Sequence, residues 1–176
     1  MSGHNKWSQI KNQKAKTDGQ KSKIYSKYAR LIALESKKVK GVLASPSLSA
    51  VIDRAKKENV PKDVIDRAVK KGTESGGEQM EAITYEAYGP GGCAIIIDAL
   101  TENKNKAAQE VKHILSKNGY ALATPGSASW AFRRENMEWV PNDTMDLEDA
   151  DLETLQKIVE ELEDNDEVQN VYTNVE

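Results

Sequence analysis

Cysteine occurs once in the 176 residues, at Cys93. That excludes an internal disulfide framework and a zinc site built on cysteines. Histidine occurs only twice, at His4 and His113, so His-based catalysis has little to draw on. No apolar run approaches the roughly 18 residues that cross a bilayer. The longest, Cys93 to Ile97, is strand-sized. The opening MSGHNKWSQIK lacks the apolar core of a secretory leader. Ser2 stands where myristoylation needs glycine. The expected compartment is the cytosol. No G-x-S-x-G, P-loop or H-E-x-x-H motif is present. Cys93 begins an apolar strand with no basic sequence neighbour, so it reads as a small buried hydrophobe rather than a nucleophile. His113 reads as a surface residue of a helix. The acidic runs Asp146–Glu153 and Glu160–Glu167 lack the glycine of a calcium loop and read as solvated helix faces. No enzyme activity, metal or cofactor is expected.

What the chain does have is charge, unevenly placed. The net charge is −3. Residues 1–72 hold 18 basic and 6 acidic side chains, a net of +12, and residues 73–176 hold 7 and 22, a net of −15. One end suits phosphate and the other is repelled by it. The basic part is rich in lysine, with Arg30, Arg54 and Arg67 as its only arginines. Lysine acts as a point charge toward phosphate, so the balance points to backbone binding more than to bidentate readout of guanine.

Four segments follow from composition and period. Residues 1–21 are a polar, basic arm. Residues 22–72 form a domain of three short amphipathic helices. The first runs from Ser22 to about Lys40 with Ile24, Tyr28, Leu31 and Ile32 inward. The second starts at Ser45-Pro46, as N-cap and first helical residue. The third opens at Pro61 and stops at Gly72. Residues 73–79, TESGGEQ, make a linker. Residues 80–176 change period. Ile83–Tyr88 and Cys93–Leu100 read as strands joined by the turn GPGG, Asn105–Lys117 as a helix, and Ser127–Phe132 as a strand. Met137–Pro141 reads as a short extended piece, the region of Leu152–Leu162 as a helix, and Val168–Asn174 as a last strand. The order predicts an α+β sandwich of ferredoxin-like character, with helices on one face of a mainly antiparallel sheet.

The strongest functional signal is in the arm and the helix after it. Lys6, Lys11, Lys14, Lys16, Lys21, Lys23, Lys27 and Arg30 recur every two to five residues, with Asn5, Asn12, Gln13 and Gln20 between them. This pattern predicts contacts to phosphates and sugars of a nucleic acid. Trp7 has two readings, a ring stacked on an unpaired base or an anchor that packs the arm onto the protein. Gly89, Pro90, Gly91 and Gly92 also have two. Followed by an apolar strand, they make a tight connection; their lack of side chains also suits a backbone-lined contact with RNA or protein. The helix from Pro61 carries Lys62, Arg67, Lys70 and Lys71, but Asp63 and Asp66 sit among them, which makes it a poor major-groove reader.

The ordered segments SGHNKWSQIKNQKAKTDGQKSKIYSK, VPKDVIDRAVKKG, ITYEAYGPGG, ALTENKNKAAQEVKHILSKNG and LEDNDEVQNVYTN closely resemble the YebC/PmpR family. That family includes the mitochondrial translational activator of cytochrome oxidase. The resemblance covers nearly the whole chain. It implies an N-terminal helical domain with α+β domains behind it, and a non-enzymatic regulator of gene expression. Some members are described as ribosome-associated translation factors, others as DNA-binding transcriptional regulators. The implied partner is therefore nucleic acid, as RNA on the ribosome or as duplex DNA. Between Arg134 and Asn136 the sequence departs from the family, whose members carry a further α+β domain there.

Overall fold

The computed structural model describes residues 6–12, 16–74 and 79–176. The expected arm residue Lys14 and the middle of the expected linker lie outside them. The chain divides into two compact units. One is Lys16–Glu81; the other is Ala82–Glu176 together with the N-terminal segment.

The helical unit contains α2 (Asp18–Lys38), α3 (Pro46–Lys57) and α4 (Lys62–Thr73). Helix α2 begins four residues before the expected Ser22, inside what reads by composition as the arm. A reciprocal cap is the cause. The Gln20 amide N–H donates to Thr17 Oγ1 at 3.2 Å, and the Thr17 N–H donates to Gln20 Oε1 at 2.9 Å. Two otherwise orphaned backbone donors are satisfied together. Ser45 occupies the N-cap of α3 ahead of Pro46, but its side chain makes no capping bond. Ile32, Leu48, Val51, Ala55, Ile65 and Ala68 form the core.

Gly72 does not stop α4; it lies inside the helix. Its role is close approach. A Cβ there would lie 2.4 Å from the Ala33 carbonyl oxygen and 2.7 Å from Ser36 Cβ on α2. The Ser36 hydroxyl donates to the Val69 carbonyl at 2.6 Å across the same seam. The expected stop signal is therefore a packing requirement.

The α+β unit has a four-stranded sheet in the order β3-β1-β2-β6. The strands are β1 (Glu81–Tyr88), β2 (Ala94–Thr101), β3 (Leu122–Ala123) and β6 (Val168–Thr173). Strand β2 pairs antiparallel with β6, from Ile95 opposite Thr173 to Ala99 opposite Val168. Strand β3, too short to read from sequence, pairs antiparallel with β1. Helices α5 (Lys104–Lys117) and α6 (Asp149–Asp164) belong to the same unit. Ile95 and Ile97 of β2 pack with their Val111, Leu115, Leu155, Ile158 and Leu162. The alternate residues Ala94 and Ile96 pack with Ala128, Phe132 and Trp139. The period of two along β2 thus feeds two cores, one on each face.

That second core corrects one expectation. Ser127–Phe132 is not a strand. Ser129–Ala131 make a 3₁₀ turn, and β4 runs from Phe132 to Glu135. It pairs with β5 (Glu138–Pro141) as a two-stranded hairpin. Asn136 and Met137, at φ 48° and 69°, form its two-residue turn, both in the left-handed region that such turns require. The cause lies in Glu86. Its carboxylate is buried and accepts the N–H groups of Gly126, Ala128 and Ser129 at 2.7, 3.0 and 2.6 Å. Three donors aimed at one carboxylate curl the segment, so it cannot extend. Burial alone would raise the Glu86 carboxyl; the three backbone donors outweigh it and hold the group below its ordinary 4.5.

Two outcomes are expected. Gly72→Ala gains intrinsic helix propensity of about 1 kcal/mol. The clash with the Ala33 backbone opposes this with about 1–3 kcal/mol and cannot be relieved by a rotamer change. The variant should melt lower than wild type in a circular-dichroism scan, and an equal or higher melting temperature would refute the close-approach role. Glu86→Gln should cost about 1–3 kcal/mol at neutral pH. Because the folded pKa is depressed, this stabilisation is present above the ordinary 4.5 and lost as pH falls through the lower folded value. Denaturant titrations of both proteins at pH 7 and pH 3 should show the difference shrinking at the lower pH.

Candidate nucleic-acid interface

The structure divides the expected basic site between the two units. Helix α1 (Lys6–Asn12) belongs to the α+β unit. Seven residues are too few for a helix to hold itself together in water, so tertiary contacts must fix it. Trp7 is only 8% exposed and joins the core under α6, with Ile10 packed beside it. The Trp7 backbone N–H donates to the Glu176 carbonyl at 3.1 Å. Lys6 pairs with Asp149, and Lys11 with Glu163 at 2.5 Å, both on α6. Of the two readings of Trp7, this arrangement is the anchor. A ring packed in the core cannot also offer its face to a base. The lysines around it sit against the protein's own carboxylates.

The remaining residues of the expected site belong to the helical unit. Lys16 pairs with Glu58 at 3.0 Å. Lys21 is exposed near the start of α2. Lys23, Lys27 and Arg30 follow at i, i+4 and i+7, and Lys37 continues the series at i+14. At 3.6 residues per turn these four share one face. Ile32, Glu35 and Ser36 are the buried residues of α2, and Ile32 projects from the opposite side. Lys23, Lys27 and Arg30 are half-buried, and each already has an interaction partner. By unit, residues 16–81 hold 15 basic and 9 acidic side chains, a net of +6, and the rest of the chain has a net of −9.

Helix α4 keeps its first two turns neutral. Lys62 pairs with Asp66 at 3.0 Å and Arg67 with Asp63 at 3.1 Å, each four residues apart. Its basic residues beyond these pairs, Lys70 and Lys71, lie in the last turn.

The GPGG segment is a 3₁₀ turn between β1 and β2. The Gly89 N–H donates to the Cys93 carbonyl at 2.8 Å. Gly91 and Gly92 have φ of 68° and 80°, which explains glycine at both. A Cβ on Gly91 would lie 2.4 Å from Leu147 Cδ2. Gly89 and Pro90 are buried, so Gly91 and Gly92 are the two residues of the segment open to contact. Cys93 is buried, and burial pushes its thiol up to about 11. That is the opposite of what a nucleophilic cysteine needs. His113 is exposed on α5. Among the described residues, no group of three His, Cys, Asp or Glu is placed to hold a metal ion, and no helix is long and apolar enough to cross a membrane.

Two exposed features escape a reading by period. Trp130 is 70% exposed and donates from Nε1 to the Tyr88 hydroxyl at 3.3 Å. Reading its segment as a strand hid it. Val42 and Leu43 are exposed in the loop after α2. Their signal was available: an apolar pair outside both helical periods, between Gly41 and Ser45-Pro46.

A lysine-rich helical unit is thus joined to an acidic α+β unit. The comparisons specify the family. Residues 5–75 match the TACO1/YebC protein N-terminal domain, and residues 80–137 and 133–175 match the TACO1/YebC second and third domain. The chain belongs to the TACO1/YebC family. It is 45% identical over 171 residues to a probable transcriptional regulatory protein of Fervidobacterium nodosum, across 96% of this chain and 68% of that one. To one of Thermosipho africanus it is 36% identical over 237 residues, across 100% of this chain and 94% of that one. Among solved structures it is similar to a conserved hypothetical protein, Aq1575, of Aquifex aeolicus. The TM-score is 0.82 at 28% identity, covering 97% of this chain and 96% of that one.

The anchoring of α1 gives a separable expectation. Trp7→Ala should destabilise the protein by about 3–5 kcal/mol. Polynucleotide affinity, measured where the variant is still folded, should stay near that of wild type. Lost affinity with unchanged stability would restore the stacking reading.

Proposed function

We propose that this protein is a non-enzymatic, cytosolic, RNA- and ribosome-associated translation factor. The observation that carries this reading is the basic face of α2 on a unit of net charge +6. It is supported by lysine rather than arginine in that unit, which suits the phosphate backbone. It is also supported by α4, whose front is occupied by its own ion pairs and offers little for reading a major groove. We further infer that the Asn136–Met137 turn stands where longer relatives carry an additional domain. The family match divides in two around residues 133–137.

A second reading, a DNA-binding transcriptional regulator, is favoured by the names of the relatives. Co-sedimentation with ribosomes in the presence of excess duplex DNA separates the two. Retention on ribosomes is the expected result; loss to the DNA would favour the regulator.

The division of the basic residues predicts a salt effect. Replacing Lys21 and Lys37, both exposed on α2, with Ala should flatten the dependence of log affinity on log salt by about 0.7 to 0.9 per lost phosphate contact. Replacing Lys6 and Lys11, which face α6, should change the slope less. The reverse order, in filter-binding titrations on one RNA, would move the site to α1.

A further inference from the structure

Among the described residues of the helical unit, the large apolar side chains exposed to solvent are Val42 at 55% and Leu43 at 61%. They occupy the loop between α2 and α3. The loop is held by its own backbone. The Gly41 N–H donates to the Ser36 carbonyl at 2.9 Å, Val42 N–H to Val39 at 3.2 Å, and Ser45 N–H to Val42 at 3.1 Å. Lys40 and Gly41 take φ of 54° and 76°. A bonded turn therefore presents the apolar pair outward before any partner arrives, which lowers the ordering cost of binding.

The surroundings are cationic. The last turns of α2 and α4 meet beside this loop: a Cβ on Gly41 would lie 2.6 Å from Thr73 Cγ2. Those turns carry Lys37, Lys38, Lys70 and Lys71, and the loop adds Lys40, all five exposed. Among the described residues of those turns and the loop, the acids are Glu35, buried and paired with Lys38 at 3.2 Å, and Glu74. Two helix C-termini add about half a negative charge each. Five lysines exceed these together, so the end of the unit stays positive. Complementing the helix dipoles does not account for all of them.

We propose that the Lys40–Ala44 loop is an RNA contact, in which Val42 and Leu43 pack on unstacked bases while Lys37, Lys40 and Lys70 hold the flanking phosphates. The inference rests on the nucleic-acid reading above and adds to it a place and a kind of target. Charge selects a polyanion, and the apolar pair selects one with accessible apolar faces. In a duplex those faces are stacked, and opening a step costs about a few kcal/mol. RNA loops and bulges offer bases already unstacked. The face of α2 that ends at Lys37 leads to this loop, so one strand can follow both.

The test uses the full chain and two RNAs with equal numbers of phosphates, a hairpin with an unpaired loop and a fully paired duplex. Val42→Ser with Leu43→Ser should weaken hairpin binding about tenfold and leave duplex binding and both salt slopes unchanged. Leu43→Phe, which enlarges the apolar tip, should tighten hairpin binding. Replacing Lys37, Lys40 and Lys70 with Ala should flatten the slopes on both RNAs. Hairpin affinity unchanged in both the serine and phenylalanine variants would overturn the loop contact and leave the nucleic-acid reading standing. Wild-type protein with no salt-dependent affinity for any polynucleotide would overturn that reading itself. If the serine variant loses sedimentation with anionic phosphatidylserine vesicles while keeping hairpin affinity, the loop is a membrane contact and the proposal fails.

Discussion

Strand β2 has no face to spare. Ile95 and Ile97 serve the core under α5 and α6, and Ala94 and Ile96 serve the core under the 3₁₀ turn and the β4–β5 hairpin. A strand buried on both sides needs cover on both sides, because each exposed isoleucine would forgo the gain from its burial. The helices supply one cover. The other comes from a segment that is itself too irregular to extend, curled by the buried Glu86 carboxylate. The α+β unit follows from that two-sided demand.

The same demand for burial decides what becomes of the N-terminal segment. Its lysines suit phosphate, but Trp7 and Ile10 suit a core more. Burying a tryptophan is a large, salt-independent gain. Exposed lysine–carboxylate pairs contribute little each and are screened by salt. Trp7 therefore sets the position, and Lys6 and Lys11 take the acidic partners that α6 provides. In the helical unit, Lys21 stands exposed near the start of α2, and Lys37, Lys38, Lys70 and Lys71 stand exposed in the last turns of α2 and α4.

Much of this was legible. The amphipathic helices, the two long strands, the last strand and the α+β class follow from periods of 3.6 and 2 that one-sided or two-sided burial imposes. Less legible were features with no period. The N-terminal extension of α2 depends on one reciprocal hydrogen-bonded cap. The 3₁₀ turn at Ser129–Ala131 depends on a glutamate some forty residues earlier. Gly72, a plausible helix stop by type, marks instead where two helices come into backbone contact.

Charge segregation, the family and the helix and strand content are properties of the chain as a string, because they depend on composition and local spacing. Which lysines remain for a partner is not. Lys11 and Lys21 look equivalent in the sequence. One faces Glu163, more than 150 residues away, and the other stands exposed on α2. Only the folded chain brings distant carboxylates and distant lysines within Coulomb reach, and so only the tertiary structure could show which lysines meet the protein's own carboxylates.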